Sequence, residues 1–208
     1  MVIQWLGHSC FKLTYRDYSI VLDPYKPSSN LHLNEIHPVA HQVLCSHEHF
    51  DHNYREAVTI IDTNLQNPFV INRLMSFHDD ESGIKRGVNY LTIIQVDDIK
   101  VAHLGDLGCM PDDSQIKELM NMDALMIPVG GYYTIDALQA KKLCDQIKPR
   151  VIIPMHFKTM NQGHSVLASV DDFLNLFESK MIKRINSNGI EIDYHNEPMV
   201  ILFETNKV

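Results

Sequence analysis

Directly behind the short apolar run Gln42-Val43-Leu44-Cys45, the chain carries Ser46-His47-Glu48-His49-Phe50-Asp51-His52. Four groups able to ligate a metal, His47, His49, Asp51 and His52, stand within six successive positions. Few cores tolerate that density of imidazole and carboxylate, because buried polar groups need partners. The fold therefore has to deliver this segment to the end of a strand, where sites form. Neutral imidazole and carboxylate are the nitrogen and oxygen donors that zinc, iron or manganese accept. In a turn entering a helix, the spacing sends His47 and His49 toward one cation, and Asp51 with His52 toward a second. One segment cannot complete two coordination spheres, so further ligands come from elsewhere. The plain alternative, a solvated polar turn, is disfavoured by the strand-end placement and the density.

The rest of the composition narrows the class. A chain of 208 residues is read as a single domain, 1–208, without an internal repeat, a low-complexity tract or a dividing linker. At that size a globular chain buries roughly 70% of its unfolded surface, so no staple is needed to hold the core. Lys and Arg number 18 against 26 Asp and Glu, a net charge of −8, which argues against a nonspecific grip on nucleic acid or an anionic membrane. Cys10, Cys45, Cys109 and Cys144 form no C-x-x-C pair and read as small buried hydrophobes in a reducing compartment. No basic n-region or long apolar stretch follows Met1, so a cytoplasmic protein is expected.

Along the chain, Val2 to Leu6, Cys10 to Tyr15 and Tyr18 to Leu22 read as a meander of antiparallel strands. Gln42 to Cys45 is a further short strand, Pro68 to Ile71 another, and Leu91 to Val96 with Ile99 to Leu104 form a hairpin turned at Asp97-Asp98. Asp112 and Asp113 start a helix bearing Ile116, Leu119 and Met120 on one face. Thr134 suits the cap of a second helix, carrying Ile135, Leu138 and Ile147 and closed by Pro149. Ser169-Val170-Asp171-Asp172 opens a third. Ala124 to Val129, Val151 to Pro154, Met181 to Ile185, Ile190 to Asp193 and Met199 to Phe203 are strands. Strands and helices thus alternate in both halves, which predicts two packed sheets with helices outside.

The segment His47-x-His49-x-Asp51-His52 matches H-x-H-x-D-H, and with it the chain resembles the metallo-β-lactamase superfamily. Leu22-Asp23-Pro24, Gly105-Asp106 and Pro154-Met155-His156-Phe157 are similar to further motifs of that superfamily, so the resemblance covers most of the chain. Gly7-His8-Ser9, Phe77-His78-Asp79, Arg86-Gly87-x-Asn89 and Pro128-Val129-Gly130-Gly131 resemble the branch near ascorbate-6-phosphate lactonase. The resemblance implies an α/β (α+β) fold, a four-layer αββα sandwich. It implies His47, His49 and His78 on a first metal, Asp51, His52 and His156 on a second, and Asp106 as the bridge. The G-H-T-x-G form of the third-ligand motif is absent, and His103 competes with His78 for that place. His103 lies three positions before Asp106 in a strand, where odd spacing turns a side chain to the opposite face, and this favours His78.

Around this set, Asp23 is either a turn residue or the acceptor that orients a metal histidine. His8 is either incidental in its turn or a wall of the pocket. Arg86 can clamp a phosphate or carboxylate, and Tyr133 can donate a hydrogen bond to a developing charge. Two divalent cations, zinc foremost with manganese or iron as substitutes, share a water whose pKa they lower, and the resulting hydroxide attacks a lactone, ester or phosphodiester. Asp51 sits where it can hold or relay the proton. The expected partner is a small, anionic substrate; a homo-oligomer is plausible by analogy with the lactonase. Two other readings stand beside the hydrolase: a diiron redox protein, and a non-catalytic sensor or binding module stabilised by its metal.

Overall fold

The structure, a computed structural model, describes residues 1–28 and 31–203. Its elements in chain order are β1 (Val2–Gly7), β2 (Cys10–Tyr15), β3 (Tyr18–Leu22), β4 (Val39–Ala40), β5 (Gln42–Leu44), β6 (Thr59–Ile60), β7 (Val70–Phe77), β8 (Val88–Val96), β9 (Ile99–His103), α1 (Asp113–Leu119), β10 (Ala124–Pro128), α2 (Ala137–Ile147), β11 (Val151–Met155), α3 (Val170–Leu174), β12 (Ile182–Ile185), β13 (Gly189–Glu191) and β14 (Met199–Phe203). They form a five-stranded sheet in the order β13-β1-β2-β3-β5, a seven-stranded sheet in the order β12-β14-β11-β10-β9-β8-β7, and a small β4-β6 pair.

Alternation in the first sheet decides its two faces. Phe11 and Leu13 of β2, with Ile20 and Leu22 of β3, turn inward to the large core, whereas Cys10 and Val21 turn outward as a period of two requires. The outward pair packs with Tyr25, Leu31, Leu33, Ile36, Ala57 and Val58. Among the described residues the outer layer on this side is therefore formed by residues 24–28 and 31–38, the β4-β6 pair and a single 3-10 turn, Arg55–Ala57. A helix was expected directly behind the histidine cluster; the 3-10 turn stands there instead.

In the second sheet β9, β10, β11, β14 and β12 run parallel to their neighbours, joined by the crossover helices α1, α2 and α3, while β7, β8 and β9 are antiparallel. The parallel strands β10, β11 and β14 are buried at every position, because one face meets the first sheet and the other the helices. The β8-β9 hairpin turns on Asp97-Asp98, with Asp97 in the left-handed region. The strand expected at Pro68 to Ile71 is longer, since Asn72, Arg73 and Met75 lie exposed along the sheet edge and hide its alternation.

Helix α1 is capped by Asp112 as expected, but Met120 stands outside it as the C-cap. Helix α2 is capped by Asp136, not Thr134. Asp136 and Gln139 close a reciprocal capping box there, and the Thr134 hydroxyl donates to the Ile135 carbonyl. Cys10, Cys45 and Cys144 are buried and Cys109 is half-buried, all four as free thiols. Among the described residues no helix is long and apolar enough to cross a membrane.

Candidate metal centre

Six strands end at one place. His8 follows β1, Asp23 follows β3, Ser46 and His47 follow β5, His78 follows β7, Asp106 lies three residues beyond β9 and His156 follows β11. All are delivered to the carboxyl edge of the sandwich, where crossover loops leave room for a ligand. The backbone is bent sharply at three of them: His8, Asp23 and His156 have φ of 50°, 45° and 54°. Left-handed geometry at residues other than glycine is costly and clusters at functional sites.

Asp106 is the centre. Its Oδ2 lies 3.1 Å from His156 Nε2, 3.4 Å from His78 Nε2 and 4.0 Å from His47 Nε2, and its Oδ1 lies 3.1 Å from His52 Nε2. Behind these rings a second carboxylate fixes the tautomers. Asp23 Oδ2 accepts from the Ser46 hydroxyl at 2.6 Å and from His52 Nδ1 at 2.7 Å. With its one proton given to Asp23, the Ser46 oxygen accepts from His47 Nδ1 at 2.9 Å. The Nδ1 side of His47 and of His52 is thereby taken and Nε2 of each is turned toward Asp106, the arrangement by which an outer carboxylate orients imidazole for a cation.

Among the described residues, groups of donor atoms draw together within 4.8 Å: His47, His49 and His78 on one side, His8, Asp51, His52 and His156 on the other, and Asp23 with His47 and His52 behind them. Buried atoms without a hydrogen-bond partner include His47 Nε2 and both ring nitrogens of His8. Unpaired buried polar atoms are rare because each costs about 1–3 kcal/mol. Lone pairs converging from imidazoles and a carboxylate are satisfied together by divalent cations, which these residues fit.

Electrostatics follow the same arrangement. Burial, then the neighbouring His52, lowers His47 to about 3; burial likewise lowers His78 to about 4 and His8 to about 4. These imidazoles are neutral at pH 7 and free to act as ligands. Burial works against the charge of His52, but Asp106 and Asp51 overcome it and raise its pKa well above the ordinary value. Burial also opposes ionisation of Asp106, yet His156 and His52 hold it well below the usual carboxylate range.

His103 lies outside these groups. Its Nε2 is 2.8 Å from the Ser9 carbonyl and its Nδ1 accepts from Gly105 N at 3.2 Å, so its ring ties β9 to the turn after β1. Arg86 donates through Nε to the His78 carbonyl and lies over the Tyr133 ring, 5.8 Å from its centroid. Arg86 also lines a cleft of about 300 Å³ beside His47 and His49, together with Arg55, Arg73 and Tyr90.

Three supporting residues had no role in the sequence reading. Ser46 relays Asp23 to His47, as above. Asn89 accepts from Asp106 N and donates to the Leu104 carbonyl, both at 2.9 Å, and so holds the bend that carries Asp106. Asp79 accepts the backbone N–H of Glu81, Gly83, Lys85 and Arg86, closing the loop that presents Arg86 beside His78. The signal available for Asn89 was its place in the Arg86-Gly87-x-Asn89 motif. Gly105, with φ of 54°, has no room for a side chain: a Cβ there would stand 2.3 Å from Asn89 Oδ1 and 2.4 Å from Ser46 Cβ.

Paired sheets with helices packed outside, and a buried histidine and aspartate centre at their shared edge, define an α/β sandwich with a candidate metal site. The chain matches the model of the beta-lactamase superfamily domain over residues 2–156 and belongs to the metallo-β-lactamase superfamily. Among solved structures it is similar to a member of that superfamily from Thermotoga maritima, with 34% identity, a TM-score of 0.74 and 96% of each chain covered. It is also similar to a metal-dependent hydrolase from Caldivirga maquilingensis, 28% identical over 208 residues, 85% of this chain and 89% of the relative. A metallo hydrolase from Ignicoccus hospitalis, 20% identical with a TM-score of 0.64 over 92% of this chain and 99% of its own, shares the fold.

Proposed function

We propose that the protein is a metal-dependent hydrolase with two divalent cations, acting on a small anionic lactone, ester or phosphodiester in the cytoplasm. The observation that carries this reading is the set of four imidazole Nε2 atoms turned on one buried aspartate, two of them fixed from behind by Asp23. The name of the Caldivirga relative, a metal-dependent hydrolase, agrees with it. His47, His49 and His78 would hold one cation, Asp51, His52 and His156 the other, and Asp106 both. An imidazole-rich set of this kind suits zinc.

Bound there, the cations supply Lewis acidity and lower the pKa of a water toward neutrality. The chain does the rest. Burial raises the pKa of Asp51, but His52 and His8 beside it hold the carboxyl below its ordinary range. Asp51 therefore cannot keep a proton at neutral pH. Its carboxylate, 20% exposed, passes the proton from water to solvent. The substrate enters through the cleft beside His49. Three of the chain's six arginines, Arg55, Arg73 and Arg86, line it against a single acid, Glu48, which suits a negatively charged substrate on a protein whose net charge is −8.

The test is elemental analysis of protein purified without chelator or metal-affinity resin, followed by assays on lactone, aryl ester and aryl phosphodiester panels. About two equivalents of zinc or manganese with turnover are expected, and His49→Ala should abolish turnover while the far-UV spectrum is retained. Two equivalents of iron with oxygen consumption would replace the hydrolase with a redox protein. Metal with neither turnover nor exchangeable water would favour a binding module.

A further inference from the structure

His8 belongs to none of the ligand motifs by which the sequence was read, yet it is a buried imidazole, 4% exposed, with neither Nδ1 nor Nε2 partnered by a hydrogen bond. Its ring centroid lies 4.4 Å from that of His156 and 5.3 Å from that of His52. The backbone holds it there at a cost. Residue 8 has φ of 50°, the register of β1 against β2 shifts between Trp5 and Gly7, and the Trp5 indole N–H donates to the His8 carbonyl at 2.9 Å. Left-handed backbone also serves plain turns such as that at Asp97, but at residue 8 it comes with a pinned carbonyl and sets the ring among the imidazoles of the centre.

The nearest oppositely charged atom is Asp51 Oδ2, 3.5 Å from His8 Nε2. That is long for a charge-assisted hydrogen bond, which runs at about 2.7–2.9 Å. It is instead the spacing of two donors on one cation: metal–donor lengths of about 2.1 Å at a tetrahedral angle put them about 3.4 Å apart. His8 also borders a void of about 10 Å³, lined besides by Trp5, Leu33, Phe157, Thr159 and Gln162, room for roughly one water.

We propose that His8 is a direct nitrogen ligand of the second cation, joining Asp51, His52 and His156. This rests on the metal reading of the centre and goes beyond it in one respect. The second cation then has four protein donors before Asp106 is counted, against three for the first, and is the more firmly held of the pair.

The test is a chelator-competition titration of zinc- and cobalt-loaded protein, wild type against His8→Ala and His8→Gln, with the visible cobalt spectrum recorded at each equivalent. Wild type should release its cations in two separate steps. Both variants should weaken the tighter step at least about 100-fold, above the range for loss of an outer hydrogen-bond partner, and shift the cobalt bands of that equivalent alone. His8→Gln keeps an N–H for Asp51, so wild-type affinity and spectrum in that variant would reduce His8 to a positioning residue and overturn the proposal. Circular dichroism and thermal unfolding of the metal-free variants separate ligand loss from misfolding. A wild-type protein that binds no cation would overturn the metal reading itself; one that binds two, with both variants unchanged, would overturn only the role of His8.

Discussion

The two donor groups share Asp106 in front and Asp23 behind, yet they are built differently. His47, His49 and His78 sit on unstrained backbone; His49 is exposed, and the arginine-lined cleft opens beside it. His8, His52 and His156 are each no more than 4% exposed, and two of the three stand in left-handed backbone. The first half opens to the cleft through His49, while its His47 and His78 are buried; in the second only Asp51 reaches solvent. The difference teaches where flexibility is useful: a substrate needs an approach, whereas a retained cation needs donors that cannot drift.

The most severe way to break the comparison is to remove what the halves share. Asp106→Ala should lower kcat/KM by about three orders of magnitude or more, as expected when several kcal/mol of cation-dependent stabilisation is lost. It should also drop metal content below one equivalent by elemental analysis; retention of one full equivalent would make the halves independent. Asp23→Ala comes next. It strips the buried acceptor from both Ser46 and His52 and should cost about 3–5 kcal/mol in urea unfolding, with both cations weakened by about 10–100-fold in chelator competition. Weakening of one step alone would show that the anchor serves a single half.

A smaller change sharpens the picture. Asn89→Ala leaves Asp106 N and the Leu104 carbonyl without their partner, so about 1–3 kcal/mol of stability is expected to go, with turnover reduced more than metal content. Acid gives the smallest effect, on chelated protein. His47 and His78 have folded pKa values of about 3 and 4 against an ordinary 6.5. Between pH 6.5 and 4 the unfolded chain takes up protons that these rings refuse, so stability is full above pH 6.5 and falls as pH drops. His52 has the opposite sign, since its raised pKa favours the folded state at low pH. Thermal midpoints should therefore decline from pH 6.5 to 4 in wild type, and less steeply in His47→Gln.

Much of this was legible in the chain. The spacing of His47, His49, Asp51 and His52 announced a metal centre, and the alternation in β2 and β3 announced a two-faced sheet. Resemblance supplied the distant members, since no local pattern ties His78 or His156 to residue 47. What was missed has a common physical cause. Ser46 reaches Asp23, 23 residues before it, and Asn89 reaches Leu104 and Asp106, 15 and 17 residues after it, and no local periodicity reveals such partners. The cap of α2 went to Thr134 because both Thr134 and Asp136 are good caps, and only Gln139 in the third helical position selects the latter. The helix expected behind His52 rested on spacing alone, and no apolar period of 3.6 supported it.

That the donors hang from the ends of strands in both sheets bears on how the protein comes into being. The residues brought together run from His8 to His156, across antiparallel and parallel pairings alike. No fragment of the chain holds a cation sphere, and no hairpin prefigures one. Metal can therefore reward only the finished sandwich, and its capture must follow the slow, long-range docking of the sheets. On the metal reading, free cation in the surroundings adds to the stability of the folded sandwich by mass action, so the molecule is sturdier where metal is plentiful.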